Sequence, residues 1–296
     1  MQQPWIHRKS HPLGPIALTL ALFLADPPPA GAHQEIEVLI ADLDRRIVEE
    51  PSDPALYLRR GELRRLHCEW TLALKDYQRA REIDRGLAVV DLCLAKILLE
   101  ERLWTPALLV LDRYLAERPV DAEGLASRAR ARFRLGDPEG AAQDLVRAIE
   151  VYPEKRLPPP ELYLEAARAL AAAGRPDEAL RVLDDGLARL GNPIALALSA
   201  LQLELDRKRY PQALARLEEA ARGSPRNRVW LLRRGRILEE AGRTGEALAA
   251  YREALAEAQK SRSSRRNNRA TQRLEEEARE AIGRLSRNEK SNRRDQ

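Results

Sequence analysis

The chain has 296 residues, with 51 basic and 46 acidic side chains, a net charge of +5 and two cysteines. The basicity is local: residues 260–296 hold twelve Lys or Arg against six Asp or Glu, which leaves residues 33–259 at −2. That basic tail has no aromatic residue on which bases could stack, which argues against specific nucleic-acid binding.

The N-terminus reads as an export signal over residues 1–32. Arg8 and Lys9 precede an apolar run, Ile16 to Ala25, and Ala30-Gly31-Ala32 offers small residues for cleavage before His33. The run is half the ~20 residues that a bilayer span needs. Cleavage near Ala32 would give a periplasmic or secreted protein. The competing reading is an uncleaved N-terminal membrane anchor. No cysteine stands at the cleavage site, which argues against lipid anchoring.

Residues 33–53 are expected to form an N-terminal capping helix, Ile36 to Glu49, with Leu39, Leu43 and Ile47 spaced by four. Pro51 closes it. The same chemistry then returns at near-constant spacing. A small-residue column reads Gly61, Ala95, Ala129, Ala167, Leu201 and Gly235, and an alanine column reads Ala73, Ala107, Ala141, Ala179, Ala213 and Ala247. Both columns step by 34, 34, 38, 34 and 34 residues. A period of this length means a solenoid whose units stack only on their neighbours. Each unit splits into two amphipathic stretches joined by a tight turn, as at Gly136-Asp137-Pro138 and Gly242-Arg243-Thr244-Gly245. Close helix crossing explains the invariant alanine.

These residues resemble the tetratricopeptide repeat family, whose unit places a small residue, an Ala twelve positions on, an aromatic or Leu four later and Ala three further. Gly61, Ala73, Tyr77 and Ala80 match in the first unit; Gly235, Ala247, Tyr251 and Ala254 match in the last. Pro119, Pro153 and Pro225 occupy the closing place. The resemblance implies an all-α, right-handed superhelical solenoid of six helix–turn–helix repeats with capping helices. Repeats 1–3 would occupy residues 54–157 and repeats 4–6 residues 158–259. The sequence departs from the pattern where Leu201 replaces the small residue and Tyr114 the last Ala. It departs again at Arg60, Arg64, Arg128 and Arg132, which stand where the family has Leu and an aromatic. Their stems are expected to cover apolar surface with the charged heads in water.

The 38-residue step contains Pro158-Pro159-Pro160, which cannot donate helical backbone bonds. A lengthened loop with unchanged stacking and an elbow between two three-repeat lobes both fit it. Beyond the repeats, residues 260–268 read as a basic linker and 269–285 as a C-terminal capping helix on Ala270, Leu274, Ala278, Ile282 and Leu285. Residues 286–296 read as a disordered tail. Cys68 and Cys93 are offset along neighbouring first helices, so no disulfide is expected between them.

No catalytic, cofactor or metal motif stands out. There is no phosphate-cradling glycine loop, no Gly-x-Ser-x-Gly and no His-Glu-x-x-His, and His67-Cys68 lacks partners at ligand spacing. The expectation is a non-enzymatic scaffold or adaptor. In the family, first helices line a groove that takes a peptide or protein segment. One residue after the small column stand Glu62, Lys96, Arg130, Arg168, Gln202 and Arg236; Leu92, Phe133, Leu164 and Leu198 would supply the apolar floor. Lys96, Arg130, Arg168 and Arg236 suit an acidic peptide or a free carboxylate, or are ordinary solvated charges. Asparagine is absent from these places, so the family's carboxylate-clamp specificity does not carry over. The alternative is a structural or assembly subunit of an envelope complex, binding through its convex face or its basic tail, which could also touch an anionic surface weakly. No transmembrane span is expected after signal cleavage.

Overall fold

The small-and-alanine repeat builds pairs of antiparallel helices. In the computed structural model, residues 30–153, 156–222, 227–260 and 269–292 are described; they form fourteen α-helices and no strand. The chain resolves into two compact units, residues 1–83 and 84–296. The first holds α1 (Ala30–Glu49), α2 (Pro54–Leu66) and α3 (Trp70–Ile83). In the second, α4 (Val89–Glu100) pairs with α5 (Trp104–Glu117), α6 (Ala122–Arg134) with α7 (Pro138–Glu150), and α8 (Pro160–Ala172) with α9 (Pro176–Leu190). Then α10 (Ile194–Asp206) pairs with α11 (Tyr210–Ala220) and α12 (Arg228–Glu240) with α13 (Thr244–Lys260), before α14 (Arg269–Asn292). With α2–α3, these make six hairpins.

The two columns have a steric cause. All six column alanines are completely buried. A Cβ on Gly61 would lie 2.5 Å from the Tyr77 ring, and one on Gly235 would lie 2.6 Å from the Tyr251 ring. In these two hairpins the tyrosine of the second helix therefore occupies the space that a side chain on the first would need. A third column emerges at the turns: Cys68, Arg102, Gly136, Gly174, Lys208 and Gly242 all have positive φ, between 56° and 85°. Each hairpin thus reverses through one left-handed residue, which satisfies carbonyls at the end of the first helix.

The arginine heads are not in water. Arg60 and Arg64 of α2 both bond Asp76 of α3, at 2.6 and 2.8 Å, and Arg60 also reaches Asp44 of α1 at 2.6 Å. Asp76 is 3% exposed. The same cluster recurs where Arg128 and Arg132 of α6 bond Asp144 of α7, at 2.7 and 3.0 Å, with Arg128 reaching Asp112 of α5 at 3.1 Å. A carboxylate projecting from the facing helix overrides the tendency of arginine to extend its head into solvent, because a charge-assisted bidentate pair replaces its hydration. A third version reverses the signs: Arg216 of α11 holds the buried Glu204 of α10 at 3.3 Å and Asp184 of α9 at 2.6 Å.

The ends differ from expectation in extent. α1 begins at Ala30 rather than Ile36, since Ala30 and Ala32 are strong helix formers. α14 runs on to Asn292, seven residues past Leu285, so residues 286–292 are helical rather than a disordered tail. Glu and Lys in that stretch sustain a helix beyond the end of its apolar stripe. Residues 1–29 of the expected signal, residues 261–268 of the linker and residues 293–296 lie outside the described residues, as does Pro225. At the longer step Pro159 is extended and Pro160 opens α8. One buried cluster runs from Leu92 through Leu145 and Leu162 to Ala200, so the core is continuous across that step. Cys68 is exposed, Cys93 is buried, and no disulfide joins them.

Candidate peptide-binding face

The face under test is formed by the first helices of the second unit. Each of its expected basic residues lies one position after a fully or nearly fully buried small residue, which turns it outward from the hairpin. Three of the four meet a carboxylate of this chain. Lys96 of α4 pairs with Glu123 of α6 at 2.6 Å, Arg130 of α6 with Glu165 of α8 at 3.0 Å, and Arg236 of α12 with Glu277 of α14. Each bond runs from one first-helix position to the next. Arg168 of α8 is exposed and makes no ion pair among the described residues. Gln202 bonds Asp206 of its own helix at 2.8 Å. In the first unit, Glu62 pairs with Arg65 at 3.2 Å and accepts from the Tyr77 hydroxyl.

The apolar floor is only partly as expected. Leu92 is 3% exposed and belongs to the core with Leu111 and Leu125, so it cannot meet a ligand. Its neighbours cover it: α4 packs on both α5 and α6. Phe133, Leu164 and Leu198 are half-buried and rest on the core with one side free. Leu164 precedes Arg168 by four residues on α8, and Leu198 precedes Gln202 by four on α10, so each shares a helical stripe with its polar neighbour.

Arg236 sits in a different setting. It lines a cleft of about 320 Å³ between α12, α13 and α14 with Glu239, Glu240, Glu277 and Glu280. Arg284 bonds Glu239 there at 2.8 Å, and the Tyr251 hydroxyl donates to the same carboxylate at 2.8 Å. Burial, then Glu239, pushes the Tyr251 hydroxyl well above its ordinary range. An acidic ligand meets four carboxylates at that end. Sequence reading missed Glu123, Glu165 and Glu277 as internal partners. The available signal was an acid on each following first helix, but it becomes meaningful only once the helices are adjacent.

A second cleft, of about 530 Å³, lies between α7, α8 and α9. Val146, Ile149, Leu170 and Val182 give it an apolar floor, and Glu150, Glu178, Asp185, Arg181 and Arg189 line its edges. Among the described residues no group of His, Cys, Asp and Glu could hold a metal ion, and no helix is long and apolar enough to cross a membrane.

Stacked helical hairpins define an α-helical repeat array. Two models described as tetratricopeptide repeat match the chain, one over residues 93–155 and 198–262 and the other over residues 132–201, which together span 93–262. The chain belongs to the tetratricopeptide repeat family, whose arrays are protein-interaction scaffolds. Among solved structures it is similar to the C-terminal part of a TPR repeat-containing protein from Cytophaga hutchinsonii, at 14% identity and TM-score 0.58, covering 82% of this chain and 95% of that one. It is also similar to pilF of Pseudomonas aeruginosa, at 18% identity and TM-score 0.53, covering 76% and 97%. Likenesses at this identity establish the fold. No curated protein matches the chain.

Proposed function

We propose that the protein is an exported, non-enzymatic adaptor that holds an acidic or carboxylate-ended peptide segment of a protein partner across α6, α8 and α10. The observation that carries this reading is the state of Arg168. It is the one basic residue of the four that has no internal carboxylate among the described residues. Half-buried Phe133, Leu164 and Leu198 stand on the first helices around it. A guanidinium beside apolar side chains favours a carboxylate flanked by aliphatic or aromatic residues. The preference for an acidic partner therefore rests on one arginine rather than on a ridge of four. Export rests on the signal-like residues 1–32, and N-terminal sequencing of the mature protein should begin at His33.

Peptides selected from a displayed random library against the full chain test the site. Enriched peptides should carry an acidic residue or a free C-terminus beside apolar residues. Arg168→Glu should weaken them at least tenfold, about 1.4 kcal/mol, while Arg236→Gln should leave them unchanged. Peptides without acidic character, or indifference to Arg168→Glu, would remove this reading. The apolar cleft between α7 and α9 supports the second reading, an assembly subunit that binds through its second helices. Selected peptides that ignore Arg168 but are lost on Val182→Asp would favour it.

A further inference from the structure

The ion clusters and the spacing of first helices share one periodicity, which is two hairpins rather than one. In the second unit α4 lies against α6, α8 against α10 and α12 against α14. Among the described residues, α6 with α8 and α10 with α12 make no contact of that extent. The clusters follow the same division. Asp112 of α5 reaches forward to Arg128 of α6, and Asp184 of α9 reaches forward to Arg216 of α11. Each therefore keys a hairpin to the one before it within a pair: α4–α5 to α6–α7, and α8–α9 to α10–α11. Between the pairs the corresponding places are apolar or incomplete. Val146, Ala166, Leu170 and Val182 fill them around α8, which is why the cleft of about 530 Å³ stands open there.

Around α12 the key is half built. Arg234 stands where Arg60 and Arg128 stand, but the position of Asp76 and Asp144 is Ala250, and the position of Asp184 is the exposed Glu218. Arg234 makes no hydrogen bond or ion pair among the described residues, and its Nε is buried without a partner. Its charge is felt at Glu246, whose carboxylate Arg243 already holds at 2.7 Å. No side chain of α10 or α11 hydrogen-bonds or ion-pairs with α12, α13 or α14 among the described residues. Only apolar contacts seat them: Leu201, Leu214 and Leu217 against the cluster containing Leu231 and Leu248.

We propose that the pair of hairpins is the rigid element of this array and that the joint between α8–α11 and α12–α14 is a shear joint. Apolar contacts are non-directional, so packed helices can slide over them at small cost, whereas a bidentate ion pair permits one register. The joint between α4–α7 and α8–α11 is more restrained, because Arg130–Glu165 and Arg175–Glu139 cross it at 3.0 and 2.8 Å. The sliding end carries α14 and the acidic cleft around Arg236, so that cleft moves as a body relative to α8–α11.

Spin labels on the full chain test this, with Cys68→Ser removing the exposed thiol. Labels at Ala172 and Asp206 report the keyed joint between α8 and α10; labels at Asp206 and Glu240 report the unkeyed joint between α10 and α12. All three positions are exposed. The distance distribution should be about twofold broader for the second pair than for the first. Asp177→Asn with Asp184→Asn, which together remove the ion pairs from α9 to Arg207, Arg209 and Arg216, should broaden the first pair toward the second. Equal widths for the two pairs overturn the proposal, as does an Ala172–Asp206 distribution that the double variant leaves unchanged.

Discussion

Every hairpin turn passes through a left-handed residue, and three of the six are not glycine. Cys68, Arg102 and Lys208 have φ of 62°, 60° and 56°. A side chain there brings its Cβ close to the following carbonyl, at a cost of about 1 kcal/mol. Lys208→Gly should stabilise the protein by roughly that amount, less the entropy glycine loses on folding. A melting temperature higher by about 2 °C would be the readout. An unchanged or lower value would mean that the Lys208 stem contributes packing that outweighs the strain. The same steric logic makes Gly136, Gly174 and Gly242 readable as turns in the sequence, while the other three positions carry no such mark. Their residues tolerate the strained conformation because the flanking helices impose it.

The hairpins are held by two kinds of contact with different tolerances. The alanine and small-residue columns are pure sterics, set by a single neighbouring helix. The ion clusters join three helices. Asp144 is buried and takes bonds from both Arg128 and Arg132. Asp144→Ala leaves two guanidinium groups facing each other without their acid, and should cost about 3 kcal/mol by denaturant unfolding. Replacing all three with the residues found around α8 should behave differently. Arg128→Ala, Arg132→Leu and Asp144→Val together follow Ala166, Leu170 and Val182, and should be within ~1 kcal/mol of the parent. A triple variant as unstable as Asp144→Ala would show that the cluster contributes more than its own neutralisation. At the exposed edge, Arg207 and then Arg209 hold the Asp177 carboxyl down at about 2, so the link from α9 to the α10–α11 turn persists until strongly acid pH and is lost as pH falls through that value.

Taken as an entire chain, the array ends on α14, not on the last complete hairpin. Leu274, Ala278, Ala281 and Leu285 are buried against the cluster formed by α12 and α13. A chain ending at Lys260 therefore uncovers apolar surface. It should lose on the order of 4 kcal/mol from the two leucines alone and self-associate in light scattering. A stable monomer would mean that α14 merely rests on the array. For the same reason such a truncation cannot separate binding by the tail from binding by the first helices. Charge reversal at exposed Arg273 and Arg287 can, because the outward side of α14 is polar.

Six hairpins, their order, the capping helices and the family were readable because the constraints behind them are local and repeated. An alanine recurring every 34 residues, with one step of 38, reports a helix crossing wherever the chain places it. Charge pairing was not readable. Arg128 and Asp144 are 16 residues apart, and nothing but closure of the hairpin puts a carboxylate beside a guanidinium that otherwise prefers water. The same holds for Lys96, Arg130 and Arg236, which look like a basic ridge until the next helix brings Glu123, Glu165 and Glu277 alongside. Leu92 and Leu164 occupy equivalent places in the repeat, yet Leu92 is sealed and Leu164 is half open. Steric demand between adjacent helices is written into residue size and survives in a linear reading. Whether a charge is spent within the protein or left for a partner depends on the distance between helices, and only the packed tertiary structure sets that.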